Sequence, residues 1–369
     1  MKLSVDQKSL IFALNIVNKA VSLHNTLPVL NNILLKAEGK RLYFSATNLE
    51  IAIHFWIQAD IQNEGSITLP AKLFTNYIHL LQDEKIEFKL EEGLTLAIKS
   101  KSSRTKIKGI SADEFPLIPK IEQPNIVNLP VEEFINGINQ VVFAASVNLS
   151  RPTLAGILFH VDKNKLTLVA TDSYRLSKKI ITLQEVVKNN IQCIIPAKTI
   201  QELGKILMSL SSNIPIEVQV SKNQILFKVD NIELVSRLIE GSFPDYEKII
   251  PQTSKTKCTL LTQDFILGVK KVSLFVLEES NNIKISLTNE QKLILSTGET
   301  QVGEETTEIS TQIQGEDNQI ALNFQFLLDI LTNIGSHEVV FEIDSKLSPA
   351  LLKPLGKDDY IHIIMPLKM

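Results

Sequence analysis

A short apolar strand that ends in a polar turn occurs three times at nearly constant spacing. The copies are Leu42-Tyr-Phe-Ser-Ala-Thr-Asn-Leu-Glu50, Leu166-Thr-Leu-Val-Ala-Thr-Asp-Ser-Tyr-Arg-Leu-Ser177 and Leu293-Ile-Leu-Ser-Thr-Gly-Glu299. Their turn residues Asn48, Asp172 and Gly298 stand 124 and 126 residues apart. Repetition at a fixed interval decides the plan of a fold before any single element does. The 369 residues are therefore expected to form three copies of one unit, 1–126, 127–253 and 254–369. The boundaries fall in proline-bearing segments near Pro124 and at Pro251.

Each copy opens with an apolar period of three to four residues, the mark of a helix lying on a sheet. The positions are Leu10, Leu14, Val17 and Val21, then Val131, Phe134, Ile138 and Val141, then Phe265, Val269, Val272 and Phe275. Strand pairs follow at Val29–Lys36 and Arg41–Ala46, at Gly156–Val161 and Lys165–Ala170, and at Ile283–Leu287 and Gln291–Ser296. A second helix begins after Leu69-Pro-Ala-Lys72, after Ile195-Pro-Ala-Lys198 and at Ala321-Leu-Asn-Phe324, where Phe326, Ile330 and Ile334 share a face. Two helices and about eight strands per copy predict an α+β fold with antiparallel sheets. Copies of this size pack side by side, and such an array closes into a ring only when its two ends are complementary. Lys99, Lys101, Arg104, Lys106 and Lys108 form a basic run in the first copy, and Glu299, Glu304, Glu305 and Glu308 an acidic run in the third. These runs are either solvated strand faces or the two halves of a head-to-tail contact.

No catalytic constellation emerges. The histidines at 24, 54, 79, 160, 337 and 362 lack metal-ligand spacing, and no glycine-rich phosphate loop or nucleophile elbow is present. Asp172 suits an acid or base in isolation, but its echoes are Asn48 and Gly298, which favours a turn role. Cys193 and Cys258 lie in different copies and read as core rather than as a redox pair. No catalytic residue, metal or cofactor is expected. The net charge of −3 argues against a protein held on nucleic acid by bulk electrostatics, and leaves room for a cationic lining on one surface. No apolar run is long enough to span a bilayer and no cleavable leader pattern is seen, so a cytoplasmic location is expected. What remains is surface: Arg151, Leu154, Leu176, Pro244, Ile249, Ile363 and Met365 combine apolar groups with nearby cations. The tail Tyr360–Met369 is either a plain edge strand or one wall of a groove for a short peptide.

The chain resembles the bacterial sliding-clamp family over essentially its full length. The motifs that carry the resemblance are Thr26-Leu-Pro-Val-Leu30, Arg151-Pro-Thr-Leu-Ala-Gly-Ile-Leu-Phe159, Ala170-Thr-Asp-Ser-Tyr-Arg-Leu176, Ile195-Pro-Ala-Lys198, Phe243-Pro-Asp-Tyr246 and Met365-Pro-Leu-Lys368. The resemblance implies three clamp domains per chain and a head-to-tail homodimeric ring around double-stranded DNA, bound without sequence preference. It implies a non-catalytic processivity subunit of the polymerase III holoenzyme, in the cytoplasm at the nucleoid. Implied DNA contacts are Lys19, His24, Lys72, Asn148, Tyr174 and Lys198. The implied peptide groove takes in Arg151, Leu154, Thr171, Ser173, Tyr174, Arg175, Leu176, Pro244, Lys248, Ile249, Ser348, Ile363, Met365, Pro366 and Leu367. Short Gln-Leu-x-Leu-Phe-like motifs of the clamp loader, the replicative and translesion polymerases and mismatch-repair proteins would compete for it. The implied dimer interface is Arg104, Thr105, Lys106 and Ile107 against Leu274, Phe275, Glu304 and Glu305. A partner-peptide hub that encircles no DNA is the alternative reading. The chain departs from the family pattern at His24-Asn25, at Ser173-Tyr174, at Lys248 and Lys368 where arginine is common, and around Glu278–Asn282.

Overall fold

The computed structural model describes residues 1–22, 27–118, 121–122, 124–210, 214–276, 281–298 and 303–367. His24, Thr26, Glu299, Lys368 and most of the Glu278–Asn282 stretch lie outside them. Six α-helices occur among the described residues: α1 (Gln7–Val17), α2 (Ala71–Leu80), α3 (Val131–Val141), α4 (Ala197–Met208), α5 (Thr262–Ser273) and α6 (Phe324–Asn333). They fall two to a copy, as the periodicity predicts. Local chemistry sets their starts. The Asp6 carboxylate accepts the Ser9 amide at 2.8 Å to cap α1, and Asn323 accepts the amides of Gln325 and Phe326 to cap α6. Each cap satisfies a helix N–H that has no partner inside the helix. Pro70 and Pro196 close edge strands of their sheets, where a missing N–H costs nothing, and hand the chain to α2 and α4.

All strand pairing is antiparallel. One sheet runs Asp60–Asn63, Lys2–Asp6, Lys85–Glu91, Thr95–Lys99, Arg104–Lys108. A second runs Asn125–Leu129, Ile216–Val220, Gln224–Val229, Ile232–Arg237, Ile51–Gln58, Arg41–Thr47, Asn32–Glu38, Gly65–Pro70. A third runs Ile191–Pro196, Gly156–Asp162, Lys165–Thr171, Arg175–Thr182, Tyr360–Ile364, Ala350–Pro354, Glu338–Ile343, Thr256–Leu261, Gln312–Gly315. The fourth runs Thr306–Ser310, Lys292–Ser296, Asn282–Thr288, Asn318–Asn323.

The two larger sheets each join strands of two sequence copies. Ile232–Arg237 pairs with Ile51–Gln58, with Ser236 opposite Ile51 and Val235 opposite Ala52. Tyr360–Ile364 pairs with Arg175–Thr182, with Ile364 opposite Arg175 and Ile363 opposite Leu176. Packing consequently divides the chain into unit 1, residues 1–131 and 205–238, and unit 2, residues 132–204 and 239–369, and the division passes through the second sequence copy. The tail is not an edge strand. Tyr360–Ile364 lies between two strands in the middle of the largest sheet.

Helices cover one face of the sheets. Leu10, Leu14, Val17, Phe74 and Ile78 are buried in unit 1, and Phe265, Val269, Leu327, Ile330 and Leu331 in unit 2. Each fully buried side chain of this size contributes about 1.5–3 kcal/mol. Phe326 is half-buried at the margin of the α6 face that buries Leu327, Ile330 and Ile334, and packs against the same core.

The third repeat is offset by one residue from the echo seen in the sequence. The hairpins at Glu38–Arg41 and Asp162–Lys165 have two-residue loops, whereas Thr288 pairs with Lys292 across a three-residue loop in which Gln291 has φ 60°. Ile309 and Leu295 both crowd Gly268, as Ile181 and Leu168 crowd Gly137. Leu295 therefore stands where Leu168 stands, and Glu304 stands where Leu176 does.

Candidate functional site

Thr171-Asp172-Ser173-Tyr174 forms a tight turn in unit 2 among the residues expected to line the peptide groove. The Asp172 carboxylate accepts the amides of Tyr174 at 2.9 Å and Arg175 at 3.0 Å, and the Thr171 hydroxyl donates to the Arg175 carbonyl at 2.6 Å. Asn48 and Thr47 make the same bonds to Glu50 and Ile51 in unit 1. The third residue of each turn is left-handed, Leu49 at φ 74° and Ser173 at φ 81°. Asp172 is thus a turn former, as its echo indicates.

An apolar cluster of unit 2 holds Leu158, Val169, Leu176, Ile194, Phe243 and Ile363, all buried, with Ile239, Tyr246, Ile249 and Ile250 packed against it. Phe243 meets Tyr246 edge to face at 6.3 Å, and the Lys178 ammonium sits 5.4 Å above the Tyr246 ring. Of the expected groove residues, Leu176 and Ile363 belong to this cluster and Leu154 is buried. Ile249 is half-buried, Pro244 is exposed, and Lys248 is exposed and paired with Asp245 at 2.7 Å. Arg151 is exposed and donates to the Ser173 hydroxyl at 3.3 Å. The Met365 amide donates to the Tyr174 carbonyl at 2.8 Å and the Leu367 amide to the Ala321 carbonyl at 2.9 Å, so Met365, Pro366 and Leu367 lie half-buried along the rim. Ser348 bonds to Ser345 at 2.8 Å in the turn ahead of Ala350–Pro354.

Arg175 is engaged on two sides. Its guanidinium reaches Asp172 at 3.1 Å, Asp329 at 2.5 Å and the Phe143 carbonyl at 2.7 Å, and lies 4.4 Å over the Phe326 ring. It joins segments of the second and third copies and is largely buried. Phe326 thus lies between this cation and the core.

The sequence did not single out Leu158, Val169, Ile194, Ile239 or Ile250 for this site. For Leu158 the signal was the continuous apolar run Ile157-Leu158-Phe159, which reads as a strand covered on both faces. The equivalent strand in the third copy alternates, with Lys284 at the position of Leu158, and carries no such run.

Lys72 and Lys198 are exposed in the first turns of α2 and α4, in units 1 and 2 respectively. Lys19 lies in the helical turn after α1 and is half-buried. Asn148 is exposed and its side chain accepts the Ser150 amide at 2.9 Å. Tyr174 is 63% exposed, which leaves its ring free for a ligand. His24 lies outside the described residues.

The expected interface residues occupy sheet ends. Arg104–Lys108 is the outermost strand of the first sheet, with Arg104 and Lys106 exposed, Thr105 half-buried and Ile107 buried. Thr306–Ser310 is the outermost strand of the fourth sheet, preceded by exposed Glu304 and half-buried Glu305. Leu274 is 78% exposed just past α5, and Phe275 is half-buried. Leu73 and Leu80 on α2 are also exposed. These two went unmarked in the sequence because they lie off the apolar stripe.

His54, Cys193 and Cys258 are held by burial. Burial lowers the His54 pKa, and its ring meets the Ser45 hydroxyl at 2.7 Å. Burial pushes the thiols of Cys193 and Cys258 up to about 12, which makes both poor nucleophiles at neutral pH. No helix among the described residues is long and apolar enough to cross a membrane.

Three family profiles match in order: the DNA polymerase III beta subunit N-terminal domain at residues 1–119, its central domain at 128–245 and its C-terminal domain at 247–368. The beta sliding clamps of Staphylococcus aureus and Staphylococcus epidermidis are each 29% identical over 377 residues, covering 100% of this chain and 99% of the relative. Among solved structures, the Bacillus subtilis DNA polymerase sliding clamp superposes with TM-score 0.96 at 28% identity, covering 100% of this chain and 99% of that one. The Pseudomonas aeruginosa sliding clamp bound to griselimycin superposes with TM-score 0.96 at 26% identity, covering 100% of both chains. With all three domains matched in order over nearly its whole length, the chain belongs to the DNA polymerase III beta subunit family, the non-catalytic sliding clamps of DNA replication.

Proposed function

We propose that two copies of this chain close head to tail around duplex DNA, and that the unit 2 groove holds short peptides of the replication and repair proteins that use the ring. One observation supports the closure above all. Inside the chain, the strand after each polar turn in the first two copies pairs with the last strand of the next copy. The third copy's equivalent strand, Thr306–Ser310, and the first copy's last strand, Arg104–Lys108, are left as sheet ends.

The internal register carries over to the missing pair. Leu176 faces Ile363 and Ala52 faces Val235. The equivalent pair is Glu304 of one copy facing Lys106 of the other, with Thr105 facing Glu305 and Ile107 facing Gly303. Arg104 then lies diagonally between Glu304 and Glu308, so the basic and acidic runs meet with opposite charges in register. On the helical side, the Phe143–Phe326 neighbourhood around Arg175 becomes Leu274 against Leu73, which accounts for two leucines otherwise left in solvent.

A ring held by topology needs little phosphate affinity, which fits a net charge of −3. Lys19, Lys72, Lys198, Asn148 and Tyr174, with His24, supply contacts that do not read bases. The three domains follow the copies, 1–126, 127–253 and 254–369. The protein works in the cytoplasm, at the nucleoid.

Loading onto a nicked circular plasmid by the cognate clamp loader tests this reading. The loader is washed away in moderate salt and half of the sample is linearised. Retention on the circle with loss from the linear form is the expected result. Equal behaviour on both would leave ordinary surface binding and overturn the ring.

A further inference from the structure

The partner groove in unit 2 has a structural twin in unit 1. The Thr47–Glu50 turn repeats the bonds of Thr171–Tyr174. The Ala52–Val235 pair repeats Leu176–Ile363, and Phe115-Pro116 repeats Phe243-Pro244, with Phe115 buried against Val29 and Leu30. Where the unit 2 cluster carries Leu176, unit 1 carries Ala52. The smaller side chain leaves a cavity of about 140 Å³ bounded by Leu49, Ala52, Leu117, Ile118, Val235 and Arg237. That is too small for an ordinary small-molecule ligand, and it suits one side chain. The third equivalent position pairs Glu304 with Lys106, and offers no apolar floor.

At two positions the rim around this cavity is apolar where the unit 2 rim is polar, while Glu50 and Arg237 stand where unit 2 has Tyr174 and Met365. Leu117 is 96% exposed and Leu49 is 45% exposed, and their unit 2 counterparts are Asp245 and Ser173. Single exposed leucines are ordinary, but two flanking one open cavity mark a contact surface.

We propose that this pocket is a second, weaker docking point for a short extended peptide, which inserts one leucine- or phenylalanine-sized side chain between Leu117 and Val235. The inference rests on the peptide-groove reading of unit 2, since equivalence of backbone, turn and cross-strand pair is what identifies the occupant. Affinity is lower than in unit 2, because Ala52 offers less apolar contact than Leu176.

Methyl NMR on the full chain, labelled at Ile, Leu and Val and titrated with acetyl-Gln-Leu-Ser-Leu-Phe, reads both sites at once. The methyls of Leu49, Leu117 and Val235 are expected to shift at peptide concentrations about tenfold above those that saturate Ile249 and Ile363, a difference of one step in affinity. Leu117→Ser alters an exposed side chain and leaves folding intact. It is expected to weaken the unit 1 site about fivefold or more, the loss of one apolar anchor, with unit 2 unchanged. Shifts confined to unit 2 overturn the second site and leave the first groove standing. Shifts in neither unit overturn both. Unit 1 shifts that survive Leu117→Ser unchanged place the contact outside this pocket and overturn it as well.

Discussion

Arg175 Nη1 lies 2.5 Å from Asp329 Oδ2, and the same guanidinium stacks on Phe326 and caps the Phe143 carbonyl. One side chain thus ties the strand Arg175–Thr182 to α6. Arg175→Ala strands the Phe143 carbonyl and removes the partner of a half-exposed carboxylate. The cost is expected to be about 2–3 kcal/mol, below that of a fully buried pair because Asp329 retains solvent. Urea unfolding measures it. Arg175→Lys should recover little, since an ammonium cannot stack and reach three acceptors together.

The groove should be probed at its walls. Leu176 has no solvent exposure, so Leu176→Ala is expected to cost about 2–5 kcal/mol in folding and to confound any binding measurement. Ile249→Ala and Met365→Ala remove half-buried side chains instead. Each is expected to weaken a Gln-Leu-x-Leu-Phe peptide by about 1–3 kcal/mol in fluorescence anisotropy, with the melting curve nearly unmoved. Unchanged affinity in both variants moves the site elsewhere.

The subunit register can be tested by exchange of charge. Lys106→Glu sets like charges against Glu304 and is expected to weaken the dimer of 41.3 kDa chains about fivefold or more. The double variant Lys106→Glu with Glu304→Lys should restore it. Leu274→Asp, which puts a carboxylate into the apolar contact, should cost about 2 kcal/mol or more. Sedimentation velocity across a concentration series reads all three. A double variant no tighter than Lys106→Glu alone would exclude the proposed pairing.

His362 makes stability depend on acid. Burial, with Arg175 adding a smaller repulsion, lowers its pKa from 6.5 to about 3, and its Nδ1 shares a 2.6 Å hydrogen bond with the Ser177 hydroxyl. Its surroundings hold the imidazole neutral: the Phe143 ring at 5.4 Å, Ser177 and the Arg175 cation. Below pH 6.5 the unfolded chain takes up a proton that the folded chain refuses. Stability contributed by this group is therefore complete above about pH 6.5 and is lost as pH falls toward 3, by an amount on the order of 4 kcal/mol. Urea midpoints between pH 7 and 4 should fall for the parent chain. They should fall less steeply for His362→Asn, and identical slopes would show that other groups carry the acid response.

The sequence by itself determined the three copies, the two helices in each and most of their inward faces. These follow from local rules: apolar period, capping residues and turn chemistry act over a few residues wherever the chain lies. Leu10, Phe134 and Val269 were legible for this reason, as were the Asn48 and Asp172 turns. The motifs that resemble the sliding clamps also placed Leu176, Ile249, Ile363 and Met365 beside one another before any coordinates did.

Tertiary structure decided what depends on pairing between distant segments. Periodicity tells which face of a strand is buried and is silent about what buries it. It could not show that Tyr360–Ile364 becomes an interior strand, or that Arg175 pairs with both Asp172 and Asp329 and stacks on Phe326. The three-residue loop at Asn289–Gln291 moved the third repeat by one residue, and that shift sets Glu304 rather than Glu305 at the position equivalent to Leu176, which matters because side chains alternate faces at every step along a strand. Leu73, Leu117 and Leu274 stand exposed in the folded chain, and an exposed leucine carries no local signal in the sequence of that placement.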